Sequence, residues 1–320
     1  MKLRLLFICF LVALVSSCSI QKMAYSSVAD ALAPETHSKK IKKPGPNPLE
    51  AITGENDPQL VADFFPAALK IYEMVLIQNP SHVELGIMTG QLYIMYANAF
   101  IQSPAEQLPS DAFDTQNNEF KRAQNLYLRG NNYVLSALNY RYKGFTSALL
   151  NSDTTERKKV LSNCTIKDTE ALYWAGAGAL AAFALDPLNT SLLEKLEASV
   201  AMLERSAELN GAYNNGAVYE VLMAFYAAAP DTLGGSREKA LICYEKALQI
   251  SNGKNPSVYI GYAKSICIPA QDSKGFDIAI DTALSIDPES EPENRLILTI
   301  AHRQALWLRD NKSNFILELE

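Results

Sequence analysis

The side chains that could do chemistry are few and poorly placed for it. Three histidines, His37, His82 and His302, stand far apart, and none has the close histidine partner of a zinc hydrolase helix. Asp287, Glu289 and Glu291 share a proline-flanked turn, where solvated charge is the ordinary outcome. There is no G-x-S-x-G, no phosphate loop and no dinucleotide fingerprint, and the GAGAL of residues 176–180 lies inside a helical pattern, not behind a strand. The chain is therefore expected to bind rather than catalyse, with no cofactor and no metal. One thiol is different: Cys18 ends the run VALVSSC, directly behind an apolar stretch.

Lys2 and Arg4 open the chain, and Leu5 to Val15 form an apolar core shorter than the roughly 20 residues a spanning helix needs. A positive start, a short apolar core and small residues before a boundary describe an export signal. Val15-Ser16-Ser17-Cys18 resembles a bacterial lipobox, in which the thiol receives diacylglycerol, the chain is cut before the cysteine and the new amine is acylated. Residues 1–17 are thus expected to be a lipoprotein signal peptide. The mature chain should sit on the periplasmic face of a bacterial membrane, held by acylated Cys18, since two or more acyl chains anchor firmly.

Residues 18–48 are expected to form the anchor and a linker. SIQKMAYSSVADALAP suits one short helix, whereas Pro44, Pro46 and Pro48 preclude one in ETHSKKIKKPGPNP. Lys39, Lys40, Lys42 and Lys43 make this stretch basic, fit either for anionic headgroups or for plain solvation. Losing Lys2 and Arg4 with the signal makes a formal charge of −6 two units more negative, which argues against a nucleic-acid partner. Beyond Cys18 only Cys164, Cys243 and Cys267 remain, which allows one bridge, Cys243 to Cys267 being the favoured pair, or buried free thiols.

Residues 49–320 read as one all-α domain. Apolar residues recur at three- and four-residue spacings, with no sustained alternation, and proline or Asn/Gly clusters punctuate at helix-pair intervals. Three segments share small or apolar residues at i, i+4 and i+7 and proline at i+12: Ala68, Tyr72, Val75 and Pro80; Ala175, Ala179, Ala182 and Pro187; Phe276, Ile280, Ala283 and Pro288. Ala240, Tyr244 and Ala247 make a fourth, with Pro256 arriving late. Such offsets place a small-residue face on one side of a helix, and proline stops the helix beyond it. This is the pattern of the second helix of a tetratricopeptide (TPR) repeat, so the expected architecture is a helical array of degenerate TPR-like repeats, an α-α superhelix, with added helices between 104 and 170; a generic bundle is the alternative. YEVLMAFYAAAP and SREKALICYEKAL should form one hairpin through PDTLGG, with Ser236 as cap.

A superhelical array offers a concave face lined by first helices. Tyr93, Tyr96 and Phe100 lie at i, i+3 and i+7, as do Tyr219, Leu222 and Tyr226, and Tyr259, Tyr262 and Ile266. Tyrosine suits surfaces that are wet at some times and covered at others, although such stripes more commonly pack between helices. Asn98, Asn214 and Asn215 are polar candidates beside them. Trp174 stands in an Ala/Gly-rich helix whose small residues would either leave room for a channel or let helices approach closely.

Taken in order, NLYLRGNNYVLSALNYR (125–141), ALYWAGAGALAAFALDP (171–187), the segment 218–251 and YAKSICIPAQDSKGFDIAIDTALSIDP (262–288) resemble the TatT family, treponemal-type lipoproteins that are the T component of tripartite (TRAP) transporters. The resemblance covers nearly the whole mature chain and includes the lipobox cysteine. It implies cryptic tetratricopeptide repeats, a homotrimer with a pore or cleft in each subunit, and a periplasmic solute-binding protein, the P component, as partner. The implied role is passing a small apolar ligand toward the membrane permease. An interaction scaffold for envelope assembly is the alternative.

Overall fold

The computed structural model describes residues 25–34 and 50–317. Cys18, the signal peptide and the basic proline-rich stretch lie outside the described residues. The described residues are helical throughout, with no strand and no helix long and apolar enough to cross a membrane.

Twelve helices build the body: α1 (25–32), α2 (Pro58–Gln78), α3 (Val83–Tyr96), α4 (Phe113–Arg141), α5 (Thr154–Ser162), α6 (Thr169–Leu185), α7 (Leu196–Asn210), α8 (Ala217–Ala228), α9 (Arg237–Ile250), α10 (Pro256–Tyr262), α11 (Ser273–Ser285) and α12 (Arg295–Asp310). Shorter helical turns join them. Helix starts are chemically marked. Asp57 accepts from the Gln59 and Leu60 amides ahead of Pro58, and Asn255 accepts from the Ser257 amide ahead of Pro256. In each case an Asx cap precedes a proline whose missing N–H costs the first turn nothing. The hairpin of α8 and α9 forms as its sequence dictates: Gly234 takes a left-handed φ of 92° in the joining turn, and the Ser236 hydroxyl accepts from the Lys239 amide.

Consecutive helices lie side by side, with α4 in extensive contact with α3 and α6, and α6 with α7. Where α3 crosses α4 the backbones nearly touch: a Cβ at Gly90 would stand 2.5 Å from the Gly130 carbonyl oxygen, so no larger residue fits. The face expected to be buried is buried at Ala68, Tyr72, Val75, Ala175, Ala182, Ala240, Ala247, Phe276, Ile280 and Ala283, while Ala179 and Tyr244 are half-buried. Most of the apolar interior is one core, and α10, α11 and α12 enclose a smaller one around Phe276, Ile280, Ala301 and Leu308.

Helix α1 packs on the body, with Ala29 and Ala33 fully buried. The Tyr72 hydroxyl donates to the Leu32 carbonyl at 3.2 Å, and His82 Nε2 meets Asp30 Oδ1 at 3.1 Å. The folded body thus takes in residues ahead of 49, where the sequence suggested it would begin. Far-apart segments also meet: Lys264 pairs with Glu106 at 2.8 Å, and Arg295 donates to the Gly54 carbonyl at 3.4 Å. Cys164, Cys243 and Cys267 are buried free thiols, and no disulfide joins Cys243 to Cys267. Burial pushes the thiols of Cys243 and Cys267 up to about 11 and that of Cys164 to about 12, so they are protonated and unreactive.

Candidate functional site

Helices α3, α4, α6 and α8 surround a cavity of about 890 Å³. That volume is in the range of small-molecule sites. Its walls are mostly apolar. On α6, Ala177, Ala181 and Ala184 repeat at i, i+4 and i+7 and form one flat side. On α8, Val221, Ala224, Phe225 and Ala228 form another. The small residues of α6 serve both uses at once. Its alanines open the cavity, while a Cβ at Gly178 would press to 2.7 Å from Ile94 Cδ1, so that glycine lets α6 close on α3.

Two π-helical turns add polar atoms. Ala97–Gln102 extends α3 and contributes Asn98; Ala263–Cys267 extends α10 and contributes Ser265. Such wide turns shift side chains off the regular helical register and recur at functional sites. Asn98 Nδ2 donates to the Tyr127 hydroxyl at 3.2 Å, and that hydroxyl donates to Gln102 Oε1 at 2.6 Å. Burial pushes the Tyr127 hydroxyl well above its ordinary pKa, so it stays a donor. On the α6 side, Trp174 Nε1 donates to the Tyr213 hydroxyl at 3.2 Å, and the Tyr173 ring meets Trp174 edge-on at 4.9 Å.

The cavity holds a single carboxylate, Glu220. Asn255 Nδ2, from the cap of α10, donates to its Oε1 at 2.8 Å. Burial pushes this carboxyl up to about 7, with the Asn255 amide pulling the other way. Glu220 is half-buried because it faces the cavity.

Of the ten cleft candidates read from the sequence, the structure brings Asn98 and Trp174 to the cavity. The others pack between helices or lie elsewhere. Tyr93 is buried under the Arg129 guanidinium, which lies 5.5 Å from its ring centroid, and Tyr96 stacks on Phe65 at 5.7 Å. Tyr219 lies under Lys246. Tyr226 donates to Glu204 at 2.7 Å in a separate, charged groove. Tyr259 donates to the Gly253 carbonyl, and Tyr262 stacks on Tyr244 at 4.3 Å. Asn214 and Asn215 are exposed in the turn before α8, with left-handed φ of 48° and 55°. Asparagine tolerates that conformation, so their role there is to turn the chain.

Tyr127, Tyr173 and Glu220 line the cavity and escaped the sequence reading. The signal for Glu220 was available: it is the one charged residue in the twelve of AVYEVLMAFYAA. A charge in an otherwise apolar helix has to face something other than a packed neighbour. Among the described residues no cluster of histidine, cysteine and acidic side chains could hold a metal ion.

A model of the TRAP transporter T-component family (TAtT) matches residues 54–316. An uncharacterized protein of Treponema pallidum (strain Nichols) is 43% identical over 306 residues, covering 95% of each chain. The chain therefore belongs to the TRAP transporter T-component family.

Proposed function

We propose that this protein is the periplasmic accessory component of a TRAP transporter, which docks the periplasmic solute-binding protein and takes a small, mainly apolar ligand into the cavity between α3, α4, α6 and α8. The observation that carries this function is the cavity itself: about 890 Å³, mostly apolar, with a few fixed polar atoms. The side-by-side helices and their buried small-residue faces support a TPR-like array, in which such a hollow lies on the inner side. In this reading acyl groups on Cys18, the cysteine behind the apolar run VALVSSC, hold the protein at the membrane.

Self-association, in the homotrimer that the family resemblance implies, has a surface to use. On α2, Leu60, Phe64, Ile71 and Met74 fall on one face and are 57%, 49%, 45% and 60% exposed. An apolar row of this kind on a surface helix marks a contact with another protein.

Co-purification from solubilised membranes tests the assignment. A periplasmic solute-binding protein and a membrane permease should come with this chain. Recovery of envelope-assembly machinery with no solute-binding protein would replace the transport role with that of an assembly scaffold. The charged groove lined by Arg157, Lys158, Glu197, Glu204, Arg205 and Lys239 would then be the first place to look for its peptide partner.

A further inference from the structure

We infer that the cavity selects a predominantly apolar molecule carrying one amine, bound as an ammonium ion against Glu220. This rests on the cavity being the ligand site and adds the chemical class of the ligand.

The cavity has no cation of its own. Among its lining residues Glu220 is the one carboxylate, and no lysine, arginine or histidine faces it. The groups presented to Glu220 by neighbouring elements are neutral: Tyr173 from α6 and Asn255 from the cap of α10. Lys264, in the π-helical turn that packs against α8, is paired with Glu106 at 2.8 Å. Glu204 of α7 meets Tyr226, while Lys239 and Lys246 of α9 lie over the rings of Tyr226 and Tyr219. Asn255 satisfies Oε1, and among the described residues no donor meets the second oxygen of Glu220.

A carboxylate among apolar walls is costly unless an opposite charge reaches it. An ammonium group supplies that charge and also a donor for the open oxygen, while the alanine and phenylalanine walls take the rest of the molecule. A carboxylic acid ligand would bring a second negative charge to a site with nothing to balance it. A neutral alcohol would gain the walls and one hydrogen bond, and lose the charge pairing.

Because burial holds Glu220 near neutrality, the preference should depend on pH. Above about pH 7 the carboxylate is ionised and an amine gains from it; below, the site protonates and the gain fades.

Three probes of equal chain length separate the contributions: dodecylamine, dodecan-1-ol and dodecanoic acid, titrated calorimetrically into the purified protein below their aggregation limits. At pH 8 the amine should bind at least tenfold more tightly than the alcohol, and the acid more weakly than either. At pH 5.5 the gap between amine and alcohol should close. Glu220→Gln, close in shape and neutral, should abolish the gap at pH 8. The inference is overturned by a fatty acid that matches the amine at pH 8, by an amine preference that does not vary with pH, or by one that survives in E220Q. The pH series on the unaltered protein stands even where the variant misfolds. Failure of all three probes removes the cavity as a ligand site, and the amine preference with it. Alcohol binding without an amine advantage removes the preference alone.

Discussion

Asp168 is a buried acid kept charged by its neighbours. It is fully buried, which pushes its carboxyl upward, but the Thr165 amide, the Tyr142 hydroxyl at 2.6 Å and the Arg141 guanidinium at 2.7 Å outweigh burial and hold it below the usual range. Arg141 also reaches Glu84 at 2.6 Å, so one guanidinium ties α3, α4 and the start of α6 together. Asp168→Asn keeps the shape, leaves Arg141 with Glu84 as its one carboxylate and turns an amide toward donors; its expected cost is about 3 kcal/mol at pH 7 in urea unfolding. The folded-state pKa is depressed, so this stability is present above the unfolded value of about 3.8 and lost as pH falls through the folded one. The gap between wild type and variant should therefore narrow in the same experiment at pH 3. Residues of this kind are invisible in a single sequence, because Asp168 and Arg141 are brought together by chain 27 residues apart. The cavity residues were hard to read for a related reason. Helix α8 is apolar nearly all round, so periodicity does not tell its cavity face (Glu220, Val221, Ala224, Phe225) from its packed face (Leu222, Tyr226).

At the scale of elements, the helices were legible wherever a cap and a periodic face coincide. Ser236 fixes the start of α9, and the small faces of α6, α9 and α11 point inward as their spacing requires. The π-helical turns at Ala97–Gln102 and Ala263–Cys267 were not legible, since one extra residue per turn leaves no mark in an apolar run. Helix α2 carries two apolar faces. One is buried through Val61, Phe65, Leu69 and Val75; the other, Leu60, Phe64, Ile71 and Met74, is exposed. Single-chain packing explains only the first. With Ile71→Glu and Met74→Glu together, analytical ultracentrifugation should show the proposed self-association lost, while the thermal melt of the subunit moves little, as exposed positions allow. A variant that stays assembled would free this face from the subunit contact.

For the whole molecule, composition and periodicity were enough for an all-helical body, whereas the way distant helices come together was not. The ion pair between Lys264 and Glu106 joins positions 158 residues apart and brings the two π-helical turns to the same cavity. No local pattern encodes such a meeting. The Cys18→Ala variant should leave the body folded and move it from the membrane to the aqueous fraction, as fractionation with circular dichroism would show; persistence at the membrane would mean another attachment. The seating of α1 against Tyr72 and His82 has a mechanical result. With α1 seated on the body, the stretch of chain between an anchor at Cys18 and the body ends at Tyr25. With lipid on Cys18, only six residues separate the anchor from Tyr25, a reach of at most about 25 Å when stretched. A molecule anchored in that way would stay close to the bilayer, and a soluble carrier would have to come down to the membrane surface to meet it.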